Sequence, residues 1–143
     1  MTTRQKVTEA NYGDGDATFR AAGGEDGIRR LVDAFYDVMA TDRRFETIWR
    51  LHRPDDLPTI RDKLTRFLCG WMGGPKRYHE KYGSISIPAV HAHLGVTHKE
   101  RDQWLGCMRV ALDRQPYPEA LRAYLLRELS VPAERIRQVC EQR

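Results

Sequence analysis

Five histidines are the residues of this 143-residue chain with the clearest capacity for chemistry. His79 and His98 lie among charged residues and read as surface groups, and His52 stands between a helical segment and Pro54. His91 and His93 flank Ala92 in a stretch that is poor in helix formers. An imidazole is the commonest protein ligand for a transition metal, and a close pair suggests chelation. No H-E-x-x-H pattern and no paired cysteines supply the rest of a zinc site, however. The cysteines, Cys69, Cys107 and Cys140, are odd in number and far apart, which argues against a disulfide framework or a zinc knuckle. Cys69 and Cys107 sit in apolar runs and read as small core residues. A serine hydrolase is poorly supported too, because Ser84 and Ser86 lack a G-x-S-x-G context and no parallel sheet is in sight to present a nucleophile.

The elements that must position these groups are helices. Ile28, Leu31, Val32, Phe35, Tyr36 and Met39 recur at steps of three and four, which predicts an amphipathic helix from about Asp26 to Ala40 with Asp26 as its cap. A short helix over Ala17 to Ala22 precedes it and stops at Gly23-Gly24. A turn of helix is expected around Phe45 to Leu51, ending before Pro54. Pro58 suits the first turn of a second long helix, whose face is Leu57, Ile60, Leu64, Phe67, Leu68 and Trp71 and whose stop is Gly73-Gly74-Pro75. Lys76 to Tyr82 reads as a short helix, and Gly83 to Gly95 as a long irregular stretch, a kind of segment that is often functional. A third long helix runs from about His98 to Arg114, burying Trp104, Leu105, Met108, Ala111 and Leu112. A fourth begins at Ala120, and Pro132 is expected to kink or break it. No segment alternates like a strand, so the fold class is all-α.

Composition agrees with one globular domain: 41 % of residues are apolar and 31 % charged. The net charge of +4 comes from cations scattered among acids, with no basic stripe beside stacking aromatics, so nucleic acid is not an expected partner. No apolar run is long enough to span a membrane, and no apolar leader opens the chain, which leaves the cytoplasm as the expected location. Residues 1–17 are expected as a flexible arm and residues 18–143 as the domain.

An all-α chain with a histidine in an irregular segment meets the demands of heme: one axial imidazole, a flat apolar slot and a few polar groups on the opposite face. Tyr36 and Trp104 lie on apolar stripes, where a hydroxyl or an indole N–H needs a partner. From the pattern alone, both read as core residues bonded to backbone carbonyls, and a bound oxygen ligand is the alternative partner.

Several motifs occur in a fixed order. They are Gly23-Gly24-Glu25-Asp26-Gly27-Ile28-Arg29-Arg30-Leu31-Val32 with Phe35-Tyr36, then Leu51-His52-Arg53-Pro54-Asp55-Asp56-Leu57, then Lys63-Leu64, Phe67-Leu68 and Gly70-Trp71-Met72-Gly73-Gly74-Pro75, and finally Glu100-Arg101-Asp102-Gln103-Trp104-Leu105-Gly106-Cys107-Met108. In these the chain resembles the truncated hemoglobins of the O-type, or group II, branch over about Thr18 to Leu129. The resemblance implies a globin-like two-over-two helical sandwich around heme b (iron protoporphyrin IX). It implies a distal polar cage of Tyr36, His52 and Trp104, with the Trp104 indole N–H aimed at the ligand. Ile60, Leu64, Phe67 and Leu68 would line the distal and edge walls, Tyr78, Val96 and Met108 would also touch the cofactor, and Lys63 would meet a propionate. The proximal histidine stands nine residues before the glutamate of E-R-D in the family, which gives His91 as the iron ligand. Relatives read Arg-His-x-Pro-Phe there, whereas this chain reads Val90-His91-Ala92-His93-Leu94. His93 is therefore the rival ligand.

The function this implies is binding of O2, NO or CO at a five-coordinate iron with high O2 affinity. Oxygen transport is the family's general label. Redox chemistry on O2, NO or peroxide, of a nitric oxide dioxygenase or peroxidase kind and served by an unidentified reductase, is the enzymatic form of the same reading. The alternative is a globin-fold binding or sensor module with altered or lost heme. A monomer or a homodimer suits either.

Overall fold

The computed structural model describes residues 11–52, 56–87 and 91–141. The first ten residues of the expected arm, the Arg53-Pro54-Asp55 turn and residues 88–90 of the expected loop lie outside them. Among the described residues the chain forms α1 (Ala17–Ala21), α2 (Gly24–Thr41), α3 (Glu46–His52), α4 (Leu57–Trp71), α5 (Arg77–Tyr82), α6 (His98–Asp113) and α7 (Glu119–Glu141), with 3-10 turns at Arg43–Phe45 and Ala92–Leu94. No strand occurs among them.

The stripe read on α2 is the centre of the core. Ile28, Leu31, Val32 and Phe35 are all fully buried. Helix α2 packs on α4 along one side and on α6 along another, and α6 packs on α7. The four long helices thus form two pairs, α2 with α4 and α6 with α7, joined where α2 meets α6. Cys69 and Cys107 are buried free thiols, as expected of small core residues, and Cys107 Sγ donates to the Phe35 carbonyl at 3.3 Å.

Two termini differ from the sequence reading. Helix α2 starts at Gly24, and its N-cap is Gly23 at φ +91° with no side-chain cap bond. Asp26 is not the cap; it sits in the first turn with Glu25, where negative charge suits the exposed N–H groups. Pro132 does not break α7, which runs unbroken from Glu119 to Glu141. A proline inside a helix costs about 3 kcal/mol through its missing donor and its clash with the preceding turn. Contacts on both sides of it offset that cost. Leu121, Leu125 and Leu129 are buried before it, and after it Arg137 is held by Glu134 and Glu141 at 2.6 and 2.8 Å.

The Gly73-Gly74 stop has a packing cause as well as a conformational one. Gly73 has φ +88°, and a Cβ there would stand 1.8 Å from the Gly15 carbonyl oxygen. A Cβ on Gly74 would stand 2.5 Å from ring atoms of Phe19. The chain before α1 crosses the end of α4 at this point, with Phe19 N donating to Met72 O at 3.1 Å. Only hydrogen-sized side chains leave room for the crossing. Residues 11–16 lie against the body nearby: Tyr12 packs on Tyr124 with centroids 5.3 Å apart, and Gly13 N donates to Thr18 Oγ1 at 2.8 Å.

Candidate functional site

Three of the predicted residues meet through a chain of rings. Phe35 and Tyr36 are neighbours on α2, and α2 packs against both α3 and α6. The Phe35 ring lies edge-on to Trp104 of α6 at 5.2 Å and to Tyr36 at 5.1 Å, and Tyr36 lies edge-on to His52 of α3 at 5.7 Å. Such tilted pairs are the favoured geometry for aromatic quadrupoles. Tyr36 is 3 % exposed, while Trp104 and His52 are half-buried. Among the described residues the indole N–H of Trp104 has no hydrogen-bond partner. Two further contacts steady the group. The backbone N–H of Ile48 in α3 donates to Gln103 Oε1 at 3.4 Å, and the Arg61 guanidinium lies over the Tyr36 ring at 5.6 Å while its arms reach Asp33 and Asp37.

His52 Nδ1 is 2.8 Å from the Ile48 carbonyl. A carbonyl only accepts, so in a neutral His52 the ring proton sits on Nδ1. The expected donor role of His52 therefore requires the doubly protonated ring.

His91 shows the same pairing on the other segment. Its Nδ1 is 2.7 Å from the Ile87 carbonyl. In the neutral ring the proton is again placed on Nδ1, which orients the ring and makes Nε2, without a hydrogen-bond partner among the described residues, its Lewis base. Its backbone carbonyl accepts from Cys140 Sγ at 3.4 Å. His91 is half-buried, and the exposed rival His93 lies inside the 3-10 turn that follows it. Among the described residues no cluster of three or more His, Cys, Asp or Glu is placed to hold a metal. His91 is thus not part of a ready-made three-ligand site among these residues, and a tetrapyrrole, which brings four nitrogens of its own, asks the protein for as little as one imidazole.

The apolar wall comes from α4. Ile60, Leu64, Phe67 and Trp71 form its outer stripe, packed on the core yet partly exposed. Leu68 lies a residue round the helix, 1 % exposed, with Thr65 and Cys69 on the side that is buried. Met108 is fully buried in α6, and Val96 is half-buried before it. Phe67 and Trp71 also line a cavity of about 320 Å³, whose rim carries Arg66, Lys76, Tyr78 and His79. Tyr78 packs on Tyr82 at 5.1 Å, and Lys63 lies over the Tyr82 ring at 5.3 Å.

Asp62 ties this side together. Its carboxylate accepts from Arg66 (2.9 Å), Lys81 (2.9 Å), Tyr82 (2.7 Å) and, more weakly, Arg29 (3.5 Å), so it links α2, α4 and α5. Burial alone would raise its pKa, but the hydrogen bonds from Lys81, Tyr82 and Arg66 outweigh burial and hold it far below the usual carboxylate range. A carboxyl that titrates lower in the folded than in the unfolded chain contributes stability above its unfolded pKa, here near 3.8, and loses that contribution as pH falls below it. We expect the melting temperature to fall between about pH 5 and pH 2, and Asp62→Asn to lower it at neutral pH while flattening that fall. An Asp62→Asn protein with the wild-type slope would show that the cluster contributes nothing to acid sensitivity.

Sequence reasoning did not find Arg61, Asp62 or the bridging role of Phe35. The signals were present: Asp33 and Asp37 are spaced by one helical turn, as are Asp62 and Arg66. What spacing cannot say is which neighbouring helix carries the partner.

The residues present fit a heme: a single oriented imidazole, an apolar stripe left partly open, cations and tyrosines at a rim, and an indole donor on α6. Comparison with known proteins points the same way. The model of the bacterial-like globin family matches residues 17–137. The group 2 truncated hemoglobin YjbI of Bacillus subtilis (strain 168) is 32 % identical over 110 residues, covering 77 % of this chain and 80 % of its own. The cold-adapted truncated hemoglobin of the Antarctic marine bacterium Pseudoalteromonas haloplanktis TAC125 superposes with a TM-score of 0.78 at 32 % identity, covering 83 % of this chain and 95 % of its own. The truncated oxygen-avid haemoglobin of Bacillus subtilis gives 0.72 at 30 % identity, covering 83 % and 97 %.

Proposed function

Because the chain belongs to the bacterial-like globin family, in its group II truncated hemoglobin branch, we propose that it holds heme b through His91 and binds small diatomic ligands, O2 above all, on the face towards Tyr36 and Trp104. Heme, when bound, would supply an iron able to take up such a ligand, with His91 as the residue that would hold it. The observation that carries the reading is the His91 Nδ1 contact to the Ile87 carbonyl, which fixes the tautomer an axial ligand needs.

The other residues act on the ligand and on the cofactor's edges. Trp104 would offer its indole N–H as a donor to a polar diatomic ligand held there, and Tyr36 would add a second polar group from α2. His52 joins them as a donor only when its ring is doubly protonated. Ile60, Leu64 and Phe67 keep water from the slot, with Leu68, Met108 and Val96 behind and beside them. Lys63 and Tyr78 meet propionates. Donors in a dry slot slow ligand release, so high O2 affinity follows, and this argues against bulk oxygen delivery. Chemistry on O2, NO or peroxide suits tight binding better and needs an electron donor, so an unidentified reductase belongs to this reading. Among the described residues no helix is long and apolar enough to cross a membrane.

Added hemin should give an intense Soret band that saturates at one heme per chain, and the ferrous form should bind O2 and CO reversibly. Failure to take up hemin would favour a globin-fold module that works without the cofactor.

A further inference from the structure

The last turns of α7 grip the segment that carries His91 at both of its ends. At the near end, Cys140 Sγ donates to the His91 carbonyl at 3.4 Å. At the far end, Arg101 in the first turn of α6 reaches Glu134 Oε1 at 2.6 Å. Glu134 is in turn held by Arg137, whose Nη2 and Nε donate at 2.6 and 2.7 Å, while Arg137 Nη1 reaches Glu141 at 2.8 Å. The Arg137 side chain is only 11 % exposed, so this cluster fixes the helical turn that presents the thiol. Between the two anchors the 3-10 turn Ala92–Leu94 packs on α7. From that turn the chain passes through Gly95 at φ +68° to the capping box of Thr97 and Glu100 at the start of α6, with no proline from residue 91 to 101.

We propose that Cys140 is a positioning residue for His91, holding its main chain against α7 so that the imidazole keeps a fixed direction. The proposal rests on the reading of His91 as the axial ligand. The His91 side chain is tied at Nδ1 to the Ile87 carbonyl, and its main chain is tied at the carbonyl to the Cys140 thiol. With both ties in place, the Nε2 lone pair is aimed by two different parts of the fold. Without the thiol the ring keeps its tautomer but moves with the main chain that carries it. Positioning from outside the ligand shell of this kind is how proteins tune a metal bond they do not themselves make. Because a thiol is a weak donor, the effect is modest and local.

The test uses Cys140→Ala and Cys140→Ser with two readouts. The first is amide hydrogen exchange across residues 91–97 in the full chain without heme. We expect Cys140→Ala to exchange about two- to fivefold faster there and unchanged in α2, and Cys140→Ser, which restores a hydroxyl donor, to return to the wild-type rate or below. The second is the iron–histidine stretching band of the ferrous, ligand-free holoprotein, which should shift in the alanine variant and recover in the serine variant. If alanine and serine variants behave alike, or if neither differs from wild type, the thiol merely fills space and the proposal fails. Absence of an iron–histidine band in the wild type would instead sink the axial-ligand reading, and the exchange arm would still decide whether Cys140 holds the segment.

Discussion

His91→Ala should lose stable heme, while His93→Ala should keep it. The wild-type protein and the His93 variant are expected to show the same Soret band after hemin addition. The His91 variant should retain hemin about a hundredfold less well or worse, because losing a ligand costs at least what losing its supporting partner costs. Two observations separate residues that sequence alone leaves as rivals. His91 is half-buried with Nδ1 bonded to the Ile87 carbonyl, whereas His93 lies exposed inside the 3-10 turn. A ligand must give up water and rotamer freedom to bind, and a ring already oriented by a short hydrogen bond has given up most of both. Circular dichroism of the heme-free variants should remain helical, which excludes unfolding as the cause. Loss of heme in the His93 variant with retention in the His91 variant would reverse the assignment.

Trp104→Phe should speed oxygen release by about fivefold to a hundredfold, the equivalent of roughly 1–3 kcal/mol for a hydrogen bond to a partly charged acceptor in a dry site. Phenylalanine keeps an aromatic ring against Phe35, now 5.2 Å from the indole, so packing changes little and the donor is what is lost. Carbon monoxide carries far less negative charge on its outer atom, and its release should change by much less. Stopped-flow displacement of O2 by CO measures the first rate, and displacement of CO by NO the second. Equal acceleration of both ligands would point to a steric effect, and an unchanged O2 rate would remove Trp104 from the donor role.

The helical framework was legible because burial imposes a period. The stripe from Ile28 to Met39 and the stripe from Ile60 to Trp71 could be buried only as helix faces, and both are helices. Helix stops at Gly73-Gly74 were legible for the same local reason. What sequence could not show depends on distant neighbours. Helix α7 runs through Pro132 because Arg137, Glu134 and Arg101 clasp beyond it, and that clasp joins residues 33 positions apart. Asp26 was read as a cap because its type suits one, but Gly23 reaches the left-handed turn that the entry to α2 takes. Asp62 reads as an ordinary charged position on α4 until α5 folds back to bring Lys81 and Tyr82 to it.

For the site, residue types and spacing alone left His91 one of five histidines and read Tyr36 and Trp104 as core residues; the family resemblance singled out His91, Tyr36, His52 and Trp104, but not their hydrogen-bond partners. The contact between His52 Nδ1 and Ile48 O makes Nδ1 the donor of a neutral ring, and only coordinates reveal it. The same limit applies to Leu68 and Met108. A helical stripe marks both as apolar, yet it cannot separate a side chain sealed in the core, 1 % and 0 % exposed here, from one on the partly exposed face of α4, as Phe67 and Trp71 are.

A crystal structure of the hemin-loaded protein tests the whole account in one measurement. The account predicts His91 Nε2 on the iron, Nδ1 still bonded to the Ile87 carbonyl, and Tyr36 and Trp104 across the ring from it. Iron ligated by His93, or a macrocycle lying outside the α4 stripe, would contradict it.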